Sequence, residues 1–319
     1  MRILNGPIAA LAWLGRQGTL AIAASLFLGL SLPQLAAYVK PHLGETVFVL
    51  LLFSYLRTDP TAFRAYLRSP KIVIAASLWV MIGLPALFGL AYVVSGMRTA
   101  MPDLYTIMIL QIAIAPITSS AAFAALMGLD VALSLVTLIV CSALSPVSTV
   151  AFSYLFLGTS LFSPIELGLK LFFFFAASGA VAYGIRRIAG QDWIERQKEP
   201  IDGLNVMTVF VFAIAAMEGV PHQVMAAPLF ALALLGLVVA LAILPVGLSV
   251  LVFLPAGADR GLAIGLLAAF RNLGVVMAAL GSSLSATAWF YFALVQFPIF
   301  LLPALLKPLA VRLQRKAGS

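Results

Sequence analysis

Apolar stretches of about 20 residues follow one another along almost the whole chain, separated by short segments rich in Gly, Pro and charged residues. A helix needs about 20 apolar residues to cross a hydrocarbon core about 30 Å thick. Lipid offers no hydrogen bonds to the backbone, so a spanning segment is a helix or a strand of a closed barrel. Barrel strands are short and alternate polar with apolar residues, unlike these stretches. The pattern therefore predicts an all-α polytopic membrane protein embedded in the lipid bilayer.

Gly, Pro and charged residues between the apolar stretches set the expected helix boundaries. The first stretch is interpreted as a retained helix and not as a signal peptide, because no small-residue cleavage signal follows it. About ten spans are expected, at residues 18–37, 43–56, 71–95, 104–128, 130–157, 165–186, 203–219, 226–254, 260–283 and 286–309.

The distribution of basic residues tests this assignment. Of the 19 Lys and Arg residues, 15 fall on the side of the two termini, three (Lys40, Arg98 and Lys170) fall on the other side, and Arg271 lies inside a span. Cytoplasmic loops of membrane proteins are enriched in Lys and Arg, so both termini are predicted to be cytoplasmic, in a cell inner membrane. The net charge of +8 follows from these loops. No basic stripe with interleaved aromatic residues is present, which argues against a nucleic-acid partner.

Composition excludes further classes of protein. Only 9% of the residues are charged, whereas a soluble domain carries about 25%. Cys141 is the only cysteine, and His42 and His222 are far apart in the sequence, so neither a disulfide framework nor a convincing metal site is expected. No carboxylate pair, His cluster or activated cysteine lies at membrane depth, so we expect no enzyme and no cofactor, with sodium doubtful.

Two spans carry a polar interruption near their middle. The fourth is broken at residues 115–120 and the ninth at residues 270–274, about 150 residues later. Two halves of five spans, approximately 18–157 and 165–309, would be inverted relative to each other, and paired interruptions then mark a substrate site near the bilayer midplane. The expected substrate-binding residues are Thr118, Ser119, Ser120, Arg271 and Asn272. The alternative is that Pro and Gly are simply common in membrane helices.

Arg271 has no expected carboxylate partner, because every acidic residue falls at a helix end or in a loop. Its guanidinium must therefore face water, backbone carbonyls, the C-terminal end of a half-helix or an anion. We expect the guanidinium to bind an anionic substrate. The alternative is that it ties the two broken helices together through carbonyls, or snorkels to an interface. Ser120, Ser134 and Thr137 are candidate ion ligands, although small hydroxyl residues more often serve close helix packing.

Four segments carry a resemblance to a known family. Residues 116–120 (Pro-Ile-Thr-Ser-Ser), 128–134 (Gly-Leu-Asp-Val-Ala-Leu-Ser) and 144–146 (Leu-Ser-Pro) resemble the fourth and fifth helices of bile acid:sodium symporters, and residues 265–274 resemble their ninth. The resemblance implies one membrane transporter domain over residues 1–319, with ten helices in two inverted repeats. It further implies a panel of helices 1, 2, 6 and 7 and a core of helices 3, 4, 5, 8, 9 and 10, in which helices 4 and 9 cross.

Members of that family typically move organic anions together with sodium. The resemblance implies sodium ligands at a serine-asparagine pair in the fourth-helix break, a serine and a threonine of the fifth helix, a glutamate of the ninth and a glutamine of the third. Ser120 and Ser134 match the two serines, and Asn272 matches an asparagine of the ninth helix.

The other ligand positions differ. Ala121 replaces the asparagine, Leu138 the threonine, Leu267 the glutamate and Val80 the glutamine, while Arg271 stands where a glutamine is usual. Sodium prefers hard oxygen ligands, so two-sodium coupling of the usual kind is not expected. The expected function is secondary transport of a small organic anion by alternating access, with Arg271 acting as a tethered cation. The alternatives are a sodium-coupled symporter of bile-acid-like or other organic anions and, from another class, a channel or a membrane receptor.

The distribution of charge yields a test of topology. Reporter tags fused to either terminus are expected to lie in the cytoplasm, because the Lys- and Arg-rich loops stay inside. A cysteine introduced beside Lys40 or Arg98 is expected to react with an impermeant thiol reagent added from outside. A C-terminus that is found outside contradicts the count of ten spans.

Overall fold

The computed structural model describes residues 9–11, 13, 18–56, 70–159 and 161–317. Within these residues the secondary structure is helical and there is no β-strand, in agreement with the predicted all-α membrane protein. Arg2, Arg16 and the charged segment 57–69 lie outside the described residues. Seven described helical stretches are long and apolar enough to cross a membrane: Pro33–Leu56, Pro70–Val94, Val131–Phe156, Pro164–Ala189, Lys198–Ala226, Pro228–Val252 and Ala286–Arg312.

The chain divides into two compact units. The first unit comprises the described parts of Met1–Thr58 and Phe173–Ala231. Its helices are α1 (Gly18–Ser31), α2 (Pro33–Val39), α3 (Leu43–Leu56), the part of α10 (Pro164–Ala189) from Phe173 onward, α11 (Gln191–Arg196), α12 (Lys198–Ala216) and α13 (Val220–Ala226).

The first predicted span is not one helix. Helix α1 ends at Ser31 and α2 begins at Pro33, so the expected stretch 18–37 is divided at Leu32. The φ of −124° and ψ of 64° of Leu32 are not helical. Proline lacks an N–H and disfavours the helical conformation of the residue before it, which accounts for the division. Helix α2 continues through a short 3₁₀ turn, Lys40–His42, into α3.

The second unit comprises the described parts of Asp59–Phe172 and Leu232–Ser319. Its helices are α4 (Pro70–Leu78), α5 (Leu84–Val94), α6 (Met97–Ala100), α7 (Pro102–Ala113), α8 (Ser120–Leu126), α9 (Val131–Phe156), α14 (Pro228–Val252) from Leu232 onward, α15 (Ala258–Ala269), α16 (Leu273–Leu280) and α17 (Ala286–Ala317). One π-helical turn, Trp79–Gly83, joins α4 to α5. Asp130 caps α9, because its carboxylate accepts a hydrogen bond from the Leu133 N–H at 2.9 Å.

Two glycines of α15 bring this helix into close contact with α14. A Cβ atom added at Gly265 would lie 2.9 Å from the Val246 Cα, and one added at Gly261 would lie 2.9 Å from the Val250 Cα. Backbone atoms cannot move aside as the tip of a flexible side chain can. Small residues at a helix interface allow such an approach between membrane helices.

Gly265→Ala is therefore expected to destabilise the protein by about 1–3 kcal/mol, the usual cost of overpacking an interior. Thermal unfolding in detergent measures the effect. The matched control is Gly236→Ala in α14, where an added Cβ meets no atom within 4 Å. That variant is expected to be neutral or slightly more stable, since alanine is the better helix former. Equal stability of the two variants contradicts close packing at Gly265.

Candidate functional site

Two interrupted helices of the second unit are joined by their own backbones. Helix α7 ends at Ala113 and α8 begins at Ser120, while α15 ends at Ala269 and α16 begins at Leu273. The Ile117 N–H donates to the Phe270 carbonyl at 2.7 Å, and the Asn272 N–H donates to the Ala115 carbonyl at 2.8 Å. Pro116 and Arg271 thus form an antiparallel bridge. Each break provides hydrogen-bond partners that the other needs.

Helix α9 supplies further partners to the break between α7 and α8. The Ala115 N–H donates to the Ser145 hydroxyl at 2.9 Å, and the Ser148 hydroxyl donates to the Ala113 carbonyl at 2.9 Å. In an interior without water, unpaired backbone groups of a broken helix must be satisfied by neighbouring side chains. These serines therefore stabilise the interruption.

The guanidinium of Arg271 is bound by main-chain oxygens. Arg271 is 3% exposed. Its Nε donates to the Ala268 carbonyl at 2.8 Å, Nη1 to the Ile114 carbonyl at 3.0 Å and Nη2 to the Val80 carbonyl at 2.7 Å. Nη1 also lies 3.9 Å from the Met81 sulfur. The planar fork of arginine matches this arrangement, because its N–H groups point in fixed directions within one plane.

The Val80 carbonyl is free because of the π-helical turn and the proline that follows it. In this turn the Leu84 N–H bonds to the Trp79 carbonyl, five residues back. The next bond in that register would run from residue 85 to the Val80 carbonyl. Pro85 has no N–H to give. The guanidinium therefore takes the place of a missing backbone donor.

The other two carbonyls are free because of the helix breaks. In a continuous helix the Ala268 carbonyl would accept from the Asn272 N–H, but that N–H donates to Ala115 instead. Ile114 leaves the helical conformation, with ψ of 157°, so its carbonyl has no partner four residues later. Each of the three carbonyls has thus lost its helical donor, two at the helix breaks and one at the π-helical turn, and one side chain pairs them all.

These contacts offset the cost of a charge at membrane depth. Insertion scales assign arginine a penalty of about 2.5–3.5 kcal/mol at the centre of a helix. A hydrogen bond to a charged group contributes about 1.5–3 kcal/mol, and Arg271 makes three to carbonyls. Helices α7 and α15, of 12 residues each, both end beside the guanidinium, where helix dipoles favour a positive charge. Arg271 is therefore stably held without a carboxylate.

Three apolar side chains from α8, α9 and α15 are packed together. Ala121 of α8, Leu138 of α9 and Leu267 of α15 form a buried apolar cluster, with Leu135 against it. No oxygen atom is supplied by the side chains of this cluster. Among the described residues no group of His, Cys, Asp or Glu could hold a metal ion.

The hydroxyl groups singled out in the sequence have different surroundings. The Ser119, Ser120 and Thr137 hydroxyls are buried without a hydrogen-bond partner among the described residues. The Ser134 hydroxyl donates to the Asp130 carbonyl at 2.9 Å, as hydroxyls in helices often do. The Asn272 side chain is buried at the start of α16 and makes no cap hydrogen bond.

A small cavity lies beside the guanidinium, with a volume of about 20 Å³, which holds about one water molecule. Arg271, Gln111 and Tyr92 are its polar lining, whereas the other expected substrate residues, Thr118, Ser119, Ser120 and Asn272, do not line it. Sequence analysis missed Gln111 and Tyr92. A lone glutamine within an apolar span was a usable signal for the first, and nothing in the sequence pattern marked the second.

Comparison with known protein families and with curated proteins returns no match.

Arg271→Met is expected to destabilise the protein by about 1–3 kcal/mol, because buried carbonyls lose their donor. Unfolding in detergent measures this free energy. The control is Arg260→Met, whose side chain is 47% exposed and lies 3.8 Å from Asp130. Such exposed pairs contribute about 0–1 kcal/mol. An Arg271→Met protein at least as stable as the wild type contradicts a structural role for these contacts.

Proposed function

We propose that the chain is a secondary transporter of small organic anions, in which Arg271 supplies a fixed positive charge in place of a bound cation. The observation that carries this proposal is the buried guanidinium at the meeting point of two interrupted helices, where three main-chain carbonyls hold it. Interrupted helices that meet at membrane depth are typical of transporter binding sites. A positive charge without a carboxylate favours an anionic ligand in a medium of low dielectric constant.

We infer a ten-span arrangement in two inverted repeats from the number of described helices and from the paired interruptions. Beside the seven long stretches, the described residues contain the 14-residue helix α1 and the two interrupted pairs, α7 with α8 and α15 with α16. The described part of the first unit covers the expected spans 1, 2 and 7 and most of span 6, and that of the second covers spans 3, 4, 5, 9 and 10 and most of span 8. This division supports a panel and a core. The excess of Lys and Arg on one side of the expected spans supports an inner membrane with both termini in the cytoplasm.

Sodium coupling of the usual kind is not part of the proposal. Sodium is bound by oxygen ligands. The cluster of Ala121, Leu138 and Leu267 offers hydrocarbon at three positions where the resemblance places such ligands. At the fourth, Val80, the main-chain carbonyl already accepts a hydrogen bond from Arg271. In this proposal the guanidinium takes the role of a second cation.

The test is uptake into proteoliposomes of an anion first selected by thermal-shift screening in sodium-free buffer. Initial rates are expected to be the same in sodium, potassium and choline salts, because the site has its own cation. Uptake is expected to saturate and to show counterflow, which separates a carrier from a channel. A steep dependence on sodium contradicts the proposal, and so does uptake that never saturates.

The matched variants are Arg271→Gln and Arg271→Lys. Glutamine is expected to weaken anion binding by about 1.5–3 kcal/mol, the range for a hydrogen bond to a charged group. Lysine is expected to restore only part of this loss, because it keeps the charge but not the planar fork. Equal affinities of all three proteins for the selected anion show that Arg271 serves the fold alone.

A further inference from the structure

The cavity beside Arg271 contains polar groups that the fold itself does not use. It lies among α5, α7, α14 and α15, and most of its lining is apolar, including Leu84, Phe88 and Pro245. Buried polar groups in folded proteins are almost always paired, so unpaired ones that line a cavity indicate a missing partner.

Tyr92 is the first such group. It is 7% exposed, and its ring is held by an edge contact with Phe88 at 6.1 Å between the centroids. Its hydroxyl makes no hydrogen bond to any described residue, although it belongs to a residue that lines the cavity. A buried tyrosine hydroxyl ordinarily has a partner.

Gln111 is the second. It is 7% exposed, and its Oε1 accepts a hydrogen bond from the hydroxyl of the fully buried Tyr291. This hydrogen bond uses the carbonyl oxygen of the side-chain amide. The NH₂ end makes no hydrogen bond to a described residue and has two N–H groups to donate.

Arg271 contributes the third donor and the only charge. Guanidinium carries five N–H groups, and three of the Arg271 groups are used by carbonyls. Nη2 keeps an N–H without an acceptor among the described residues. The three polar side chains that line the cavity therefore each have an N–H or O–H group to donate, one of them carries a positive charge, and no carboxylate is among the lining residues.

We propose that this cavity binds the carboxylate head of the transported anion, through Arg271, Gln111 and Tyr92. This proposal rests on the proposed function and adds two specificity residues to it. A water molecule would fit the volume, but its single oxygen has only two lone pairs for the N–H and O–H groups of three side chains, whereas a carboxylate offers two oxygens and a negative charge to pair with Arg271. The volume of about 20 Å³ admits only the head of a larger molecule unless the apolar lining moves.

Two variants separate this site from a structural role. Tyr92→Phe removes a hydroxyl that bonds nothing in the fold, so basal stability is expected to be unchanged. Gln111→Glu keeps an oxygen for the Tyr291 hydroxyl but replaces the donating amide with a negative charge, which repels an anion. Tyr154→Phe is the matched control, since it removes a hydroxyl from an exposed tyrosine of α9 that does not line the cavity.

The experiment measures thermal unfolding of the purified full chain in sodium-free detergent buffer, with choline formate as the probe and choline chloride at equal ionic strength as the reference. Formate is expected to raise the unfolding temperature of the wild type and of Tyr154→Phe, and to saturate, because it binds the folded state. Tyr92→Phe and Gln111→Glu are expected to raise the half-saturating concentration about tenfold or more, which corresponds to a lost hydrogen bond to a charged group.

Three results overturn the proposal: no effect of formate, which leaves a water site; an equal effect of chloride, which indicates a halide site; or the same formate dependence in Tyr92→Phe as in the wild type. Uptake distinguishes this proposal from the proposed function. If uptake saturates and Tyr92→Phe does not change its KM, the carboxylate site is overturned and the proposed transport function stands. If Tyr92→Phe weakens formate binding but the protein shows no uptake, the carboxylate site stands and the proposed transport function is overturned.

Discussion

Every backbone polar group of a chain embedded in hydrocarbon needs a partner, and an interrupted helix creates groups that have lost theirs. The described part of the second unit contains two such breaks and one π-helical turn. The breaks pair with each other at Ile117 and Asn272, and two serines of α9 pair with backbone groups at the C-terminal end of α7. Arg271 pairs with three further carbonyls. The rest of the site depends on these hydrogen bonds, since the position of each side chain follows from the backbone group with which it pairs.

Arginine suits this position for reasons of geometry as well as charge. Its acceptors come from three separate segments, and only a planar fork reaches all of them at 2.7–3.0 Å. A lysine ammonium is a compact point charge on a flexible stem and would not fix the relative positions of the segments in the same way. Arg271 therefore links the π-helical turn to both breaks, and a movement of any of them changes the environment of the charge.

The sequence was informative where a residue type has one structural consequence. Apolar stretches predicted the helices, and the two polar interruptions predicted the helix breaks. It was uninformative where the partner is a backbone carbonyl, because such an oxygen is present at every residue and becomes available only when the helix is broken. The π-helical turn before Pro85 and the division at Leu32 both follow from prolines that the sequence shows, but proline alone does not specify which distortion results. The cavity residues Tyr92 and Gln111 meet only through the packing of α5 against α7.

A cation that belongs to the protein differs from a bound ion in one thermodynamic respect. A dissociable ion that binds on one side and leaves on the other couples its gradient to the substrate. The guanidinium of Arg271 cannot leave, so under the proposed function it lowers the energy of an anion at membrane depth but contributes no driving force. Net transport by such a site follows the gradient of the anion itself, of a second anion that is exchanged for it, or of a proton that travels with it. The apolar cluster of Ala121, Leu138 and Leu267 agrees with this view, since a protein that carries its own cation has no need of oxygen ligands there.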